Sequence, residues 1–268
     1  MNSRGLVKKL AVSFDAVLPP SSGIVVLIYH RVGGGSDSEV DLDPEVFDAQ
    51  LQHLVEHHRV LALDDAVDQL RTGTGTEASG VVLTFDDGTA DFADVVVPAL
   101  ARHDLPATLY AATRFIDEAI DFPWGAPALS WSALRDSCST GLITVGSHTH
   151  SHWLLDRLDA HTLEQDLDRS IELIGEHVGH APTHFAYPKA LPGSRHGEIA
   201  VRRRFESAAL AQSRVNRPGQ CDLHRLWRTP VQRSDDMRYF SAKAAGGLRL
   251  EGELRALAAK VKYRGQTR

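Results

Sequence analysis

Two short polar clusters in this sequence combine residue types that can bind a metal ion and activate water. The first lies at residues 84–88, with the sequence TFDDG, and the second at residues 147–152, with the sequence SHTHSH; each ends a hydrophobic stretch. Catalytic zinc sites use three protein ligands of the carboxylate or imidazole type and leave one position for water. Asp87, His148 and His152 provide such a set, and the neighbouring aspartate is left over.

The leftover carboxylate gives this cluster a second function. A bound metal ion lowers the pKa of water towards neutrality, and a free carboxylate can accept the proton of that water. Asp86 is the candidate base, while His150 is expected to point away from the ion and to have a structural or supporting role. Either cluster alone has a simpler explanation, because an Asp-Asp-Gly run also forms polar turns. Together they predict metal-assisted hydrolysis.

The surrounding sequence alternates between strand-like and helix-like segments. Predicted strands lie at 23–30, 81–85, 107–112, 142–145, 184–187, 207–211 and 227–231, and predicted helices at 44–58, 91–103, 132–140, 162–178, 235–246 and 250–261. About seven strand–helix units predict an α/β fold, a distorted or incomplete (β/α) barrel of parallel strands. In the 268-residue chain we expect an N-terminal extension at 1–22 and one catalytic domain at 23–268.

The polar residues follow the predicted strands in a consistent way. His30, Asp86, His148 and Pro188 each come at or just after the end of a strand. Barrel enzymes build their active sites at the C-terminal rim, from the loops of several strands. We therefore expect the active site at this rim. The sequence has neither a P-loop nor a Gly-x-Gly-x-x-Gly motif for nucleotide binding.

Charge and hydropathy restrict the partners. A formal net charge of −6 disfavours nucleic acid as a partner, because phosphate binding needs clustered basic residues. The basic C-terminal region allows peripheral contact with an anionic membrane. The apolar stretch within residues 1–20 is interrupted by Ser13 and Asp15, and no apolar run is long enough to span a bilayer. A cytoplasmic location is therefore the expectation.

Five sequence motifs resemble those of a known enzyme family. They are TFDDG and SHTHSH, FAYP at 185–188, YHRV at 29–32 and RTPV at 228–231. In this order they resemble the NodB-like polysaccharide deacetylases, the family-4 carbohydrate esterases, and most closely the exopolysaccharide-deacetylase branch. The resemblance covers about residues 24–240.

The resemblance implies roles for individual residues. Asp86 would be the base, and Asp87, His148 and His152 would bind a divalent metal, zinc first, with cobalt, nickel or manganese as alternatives. The backbone N–H of Lys189 would bind the oxyanion. The acid stays open between His30, at the rim, and His224, which fits only by its position in the chain. His184 is expected to be structural, and Trp124, Trp131 and Trp153 either line a sugar-binding groove or pack.

Two positions depart from the family pattern. Many members have an arginine that tethers the base where this chain has Ala186, and a glycine where it has Ala190. The resemblance therefore leaves open what orients Asp86.

The function implied is removal of the N-acetyl group from an N-acetylhexosamine-containing glycan or glycoconjugate, with release of acetate. A lipid-linked or nucleotide-linked sugar made inside the cell fits the expected location. Two alternatives stay open: an amidohydrolase of the same barrel that acts on a small cyclic amide or ureide, and a catalytically silent glycan-binding domain.

Overall fold

Seven parallel strands form a closed barrel. The computed structural model describes residues 23–73 and 79–248. The barrel strands, in their order around it, are β1 (Ile24–Tyr29), β4 (Gly80–Asp87), β5 (Ala107–Ala111), β6 (Ile143–Ser147), β7 (His184–Ala186), β8 (Ser207–Ala211) and β9 (Leu226–Pro230). β1 pairs with β4 on one side and with β9 on the other, which closes the barrel. The predicted barrel is confirmed and is complete.

Helices surround the barrel, and two short strands lie beside it. The helices are α1 (Pro44–His57), α2 (Leu63–Thr72), α3 (Val97–His103), α4 (Thr113–Asp117), α5 (Trp131–Ser139), α6 (Ala160–Val178), α7 (Arg195–Arg204) and α8 (Met237–Ala244). A π-helical turn, Phe92–Val96, precedes α3, and 3-10 turns occur at Leu155–Arg157, Pro188–Ala190 and Leu223–Arg225. The short strands are β2 (Arg31–Val32) and β3 (Asp41–Leu42). Among the described residues, no helix has the length and apolar character needed to cross a bilayer.

The helix predictions are mostly confirmed, with three omissions. Helices α2, α4 and α7 were not expected; α4 and α7 carry few apolar residues, and α2 directly follows another apolar stretch. The predicted helix 91–103 is divided into the π-helical turn and α3. The predicted helix 250–261 and the N-terminal extension lie outside the described residues.

Strand alternation determines which side chains face the barrel interior. Ile24 and Val26 of β1 pack inside with Val82 of β4 and Tyr110 of β5, and the apolar face of α2 belongs to the same cluster. Because side chains alternate along a strand, the positions that continue this inward series reach the C-terminal mouth. His30 continues it after β1, and Asp86 continues it on β4. The fold therefore directs both side chains towards the same opening.

Candidate metal centre

Three side chains converge at the C-terminal mouth of the barrel. Asp87 ends β4, His148 directly follows β6, and His152 lies four residues further on. One carboxylate oxygen or imidazole nitrogen from each lies within 4.8 Å of the others. Nε2 of His152 and Nε2 of His148 are 3.3 Å and 3.7 Å from Oδ1 of Asp87. The structure thus brings together the three residues predicted as metal ligands.

The two histidines are held in a state suitable for metal binding. Nδ1 of buried His148 is 2.7 Å from the carbonyl oxygen of Ala186. A carbonyl only accepts hydrogen bonds, so Nδ1 donates and the lone pair of Nε2 faces Asp87. Burial lowers the pKa of His148, although the nearby aspartates oppose this shift. Burial, followed by the charges of His148, Lys189 and His30, lowers the pKa of His152 well below its usual value. Both imidazoles are therefore neutral near pH 7.

The loop between the two histidines is fixed by hydrogen bonds. Thr149 and His152 adopt left-handed φ angles of 68° and 60°, which are uncommon for residues other than glycine. Oγ1 of Thr149 accepts a bond of 2.8 Å from the N–H of His152. The carboxylate of Asp166 on α6 accepts bonds from the N–H groups of His150 (3.1 Å) and Ser151 (2.9 Å). Asp166 therefore holds the turn that sets the position of His152.

The donor set fits a zinc-type divalent ion. One carboxylate oxygen and two neutral imidazole nitrogens are the ligand types and the ligand number of catalytic zinc sites, which keep a further position for water. Asp87 and His148 are buried, and His152 is half-buried. Within the described residues, no lysine or arginine forms an ion pair with the buried carboxylate of Asp87, and a bound cation would supply a positive partner.

The second aspartate is bound by a buried arginine instead. Nη1 and Nη2 of Arg228, on β9, lie 2.6 Å and 2.9 Å from the two carboxylate oxygens of Asp86. Burial raises the pKa of Asp86, but Arg228 outweighs it, with further contributions from His148 and His30, and the pKa falls to about 2. Asp86 is therefore ionised at neutral pH and has a fixed orientation. Its closest approach to His148 Nε2 is 3.9 Å.

Arg228 orients Asp86 in place of the family arginine that is absent at Ala186. The sequence analysis included Arg228 in the RTPV motif but missed its pairing with Asp86, because the two residues lie 142 positions apart. A signal was nevertheless present, since arginine within a barrel strand must have a buried partner if its side chain faces inward. Position 228 follows Leu226, a member of the interior cluster, by two residues and therefore faces inward.

The guanidinium is supported from below by an aromatic ring. The Cζ atom of Arg228 lies 5.0 Å from the ring centroid of Tyr110. Nη1 also donates to Oγ1 of Thr84 (3.2 Å), and Nε donates to the carbonyl of Leu210 (3.4 Å). The Tyr110 ring fits because position 146 is glycine, where an added Cβ would lie 2.5 Å from Cδ1 of the tyrosine. Gly146 thus makes room for the ring that packs against the guanidinium paired with Asp86.

Two further predicted residues lie at the same mouth. His30 is half-buried and close enough to Asp86 for its charge to contribute to the lowered pKa. Lys189 and Ala190, in the turn after β7, both have a left-handed φ of 55°. Within the described residues, the N–H of Lys189 has no hydrogen-bond acceptor. This N–H is therefore available to a bound molecule.

Three other histidines named in the sequence analysis, His224, His184 and His150, have different surroundings. His224 precedes β9 at the N-terminal end of the barrel, and its Nε2 lies 2.8 Å from the carbonyl oxygen of Phe205, so this candidate acid is wrong. His184 is buried at the same end and contacts Asp64 (3.0 Å), which agrees with a structural role. Nδ1 of His150 lies 3.0 Å from Oγ1 of Thr113.

The tryptophans differ in their relation to the site. Trp124 is 43% exposed, and its ring contacts His152 edge-to-face, with 6.3 Å between centroids. Trp131 instead stacks on His177 of α6 at 4.3 Å. Trp153 is half-buried after the second histidine ligand.

Known proteins support the family expected from the motifs. A family model described as Polysaccharide deacetylase matches residues 73–204. The chain carries a polysaccharide deacetylase domain. The matched segment of this domain contains Asp86, Asp87, His148, His152 and Lys189. His30 and Arg228 lie outside it.

Solved structures share the fold of this polysaccharide deacetylase domain. The deacetylase PplD of Streptococcus pyogenes, in complex with acetate, has 20% identity and a TM-score of 0.73, and the match covers 84% of this chain and 99% of PplD. IcaB from Ammonifex degensii has 24% identity and a TM-score of 0.72, with coverage of 84% and 97%. A de-N-acetylase from Aggregatibacter actinomycetemcomitans has 17% identity and a TM-score of 0.65, with coverage of 82% and 99%. No curated protein sequence matches the chain.

Proposed function

We propose that the protein is a metal-dependent N-deacetylase that hydrolyses the acetamide of an N-acetylhexosamine in a glycan or glycoconjugate. The observation that carries this proposal is the pairing of two carboxylates with different surroundings. Asp87 lies with His148 and His152 in a metal-binding arrangement, while Asp86 is kept out of it by Arg228. Binding alone would need no second, oriented carboxylate.

The residues at the barrel mouth have different roles in the proposed reaction. When bound, the metal supplies Lewis acidity to water and to the acetyl carbonyl. Ionised Asp86 accepts the proton of the attacking water. The free N–H of Lys189 donates to the carbonyl oxygen as negative charge develops there. His30 donates a proton to the leaving amine, and the amine and acetate are the products.

The identity of the metal and the source of the sugar are part of the proposal. Zinc is the favoured metal, because one carboxylate and two imidazoles are typical zinc ligands, while cobalt, nickel or manganese would accept the same donors. The proposed substrates are amino-sugar glycans or lipid-linked or nucleotide-linked sugars. The deacetylase PplD and the de-N-acetylase named above support a deacetylase activity through their names. A cytoplasmic location stays a proposal, as does peripheral membrane contact, which the basic C-terminal sequence supports.

Acetate release tests this function. Native protein and the Asp86→Asn variant are loaded with zinc, their metal content is measured, and acetate is followed from a panel of N-acetylhexosamine glycosides and lipid-linked sugars. Asp136→Asn, which changes an exposed aspartate on α5, is the matched control. We expect acetate from the native and control proteins, and a loss of at least about 100-fold for Asp86→Asn at equal metal content.

Two outcomes would contradict the proposal. Metal-loaded protein that opens cyclic amides without releasing acetate from any glycoside would be an amidohydrolase. Protein that binds glycans without hydrolysing them, and whose binding is unchanged by Asp86→Asn, would be a binding domain.

A further inference from the structure

A column of aromatic rings stands beside the metal-binding residues. Phe115 and Phe122 stack with 4.3 Å between centroids, and Phe122 and Trp124 stack at 4.9 Å. Phe115 and Trp124 both contact His152 edge-to-face, at 6.4 Å and 6.3 Å. Phe122 is 2% exposed whereas Trp124 is 43% exposed, so the column is anchored in the fold and ends at the surface. The indole is therefore a rigid part of the pocket mouth.

A lysine side chain is placed over this indole. Nζ of Lys189 lies 5.5 Å from the ring centroid of Trp124, a favourable cation–π arrangement. Phe122 covers the ring on a stacked face, which limits movement of the indole. The backbone of Lys189 is fixed as well, in the left-handed turn with Ala190. The side chain of Lys189 is exposed to solvent, and its contact with the indole holds the ammonium group at the mouth.

The charge of this ammonium is not compensated by the protein. Within the described residues, no carboxylate forms an ion pair with Lys189, whereas Arg204 and Arg225 are each paired with acidic side chains. Arg228 already balances Asp86. A divalent ion at the metal site would therefore leave the mouth with excess positive charge, in a protein whose net charge is −6. Such a mouth favours an anionic ligand.

We propose that the side chain of Lys189, held by Trp124, binds an anionic group of the substrate next to the acetylated sugar. This inference rests on the proposed deacetylase function. The N–H of the same residue is assigned to the acetyl carbonyl, so the anion must lie within the length of one lysine side chain from the reacting group. The substrate class is therefore an acidic amino-sugar glycoconjugate. The anion is a carboxylate on the sugar or a phosphate at its linkage to a carrier.

Three matched substrates test this inference. They are a neutral methyl glycoside of an N-acetylhexosamine, the same sugar with a carboxylate at C6, and the same sugar with a phosphate at C1. We measure kcat/KM for each at low and high ionic strength. We expect the native enzyme to prefer at least one anionic substrate over the neutral one by about fivefold to tenfold at low salt. High salt should reduce this preference, because exposed charges are screened.

Variants assign the preference to Lys189. Lys189→Met should abolish it, Lys189→Arg should retain most of it, and Trp124→Leu should reduce it by releasing the ammonium. Arg203→Met removes an exposed cation at the far end of α7 and should leave the preference intact. The readout is the ratio of kcat/KM for the anionic substrate to kcat/KM for the neutral one. Any effect on the backbone of residue 189 changes both values alike and leaves this ratio unchanged. Thermal unfolding verifies that each variant is folded.

The outcomes separate this inference from the function on which it rests. A preference for the carboxylate alone, or for the phosphate alone, identifies the source of the anion and supports the inference. Equal activity on neutral and anionic substrates, or an anionic preference that survives Lys189→Met, overturns it while the deacetylase stands. Absence of acetate from all three substrates with metal-loaded native enzyme overturns both.

Discussion

Replacement of Arg228 by methionine should destabilise the protein in a strongly pH-dependent way. Arg228 is fully buried and Asp86 is 4% exposed. The substitution removes two charge-assisted hydrogen bonds of 2.6 Å and 2.9 Å and leaves a buried, unpaired carboxylate. Breaking a buried ion pair by removing one partner costs about 3–5 kcal/mol of the free energy of unfolding. This loss is a large part of the stability of a typical domain, about 5–15 kcal/mol.

The pH dependence follows from the pKa of Asp86. In the native protein this pKa falls to about 2 from 3.8, so the ionised carboxylate stabilises the fold above about pH 4. That contribution is lost as the pH falls through about 2. Without Arg228, burial dominates and should raise the pKa of Asp86 above its usual value. The variant therefore loses stability as the pH rises above about 4, and the difference from the native protein is largest near pH 7.

Chemical denaturation of metal-free protein at several pH values measures this difference without interference from the bound ion. Arg225→Met is the matched control, because it breaks an exposed ion pair with Glu198 that is worth about 0–1 kcal/mol. Arg228→Lys should lose less than Arg228→Met, since it retains the charge without the two-pronged geometry. In metal-loaded enzyme, the acidic limb of the kcat/KM profile should move to higher pH. If Arg228→Met and Arg225→Met were equally stable at pH 7, the assigned role of the buried pair would be refuted.

Three further variants test the supports of the site. Asp166→Asn should weaken zinc binding about 10–100-fold in a chelator competition, because it removes an acceptor from the ligand loop; equal weakening by Asp168→Asn, on an exposed part of α6, would contradict this. Gly146→Ala should lower the free energy of unfolding by about 1–3 kcal/mol through the clash with Tyr110, and a second change, Tyr110→Leu, should restore part of it. If Gly146→Ala were as stable as the native protein, the close packing of the Tyr110 ring against position 146 would be disproved. Ala190→Gly should raise the unfolding free energy by up to about 1 kcal/mol because φ is 55° there, whereas Ala190→Val should lower it; the opposite order in thermal melts would show that the turn is not strained.

The sequence predicted the residues that local patterns can reveal. Asp86 and Asp87 end one hydrophobic strand, His148 and His152 follow another, and parallel strands bring their C-terminal ends to one side of the barrel. The residue types and their positions at the strand ends were therefore enough to predict that these four lie together. Hydrophobic periodicity also predicted seven strands, although the ends differ by one or two residues from those observed.

The parts that escaped prediction depend on closure of the barrel. The pairing of Arg228 with Asp86 joins β9 to β4. These two strands are not neighbours in the sheet, because β1 lies between them. Local patterns contain no information about which interior side chains meet across a barrel. The prediction of His224 as the acid was wrong for a similar reason, since a position in the chain does not indicate at which end of the barrel a residue lies.

The closure of the barrel by β9 has a consequence for the order of events during synthesis. Asp86, the proposed base, is made early on β4, but its arginine is carried by β9, the last strand within the described residues. Until β9 is in place between β8 and β1, the carboxylate of Asp86 has no buried counter-ion. A nascent chain that lacks this strand is therefore expected to be both unfinished as a fold and unable to catalyse. Acetate release would then report completion of the barrel as directly as any spectroscopic probe.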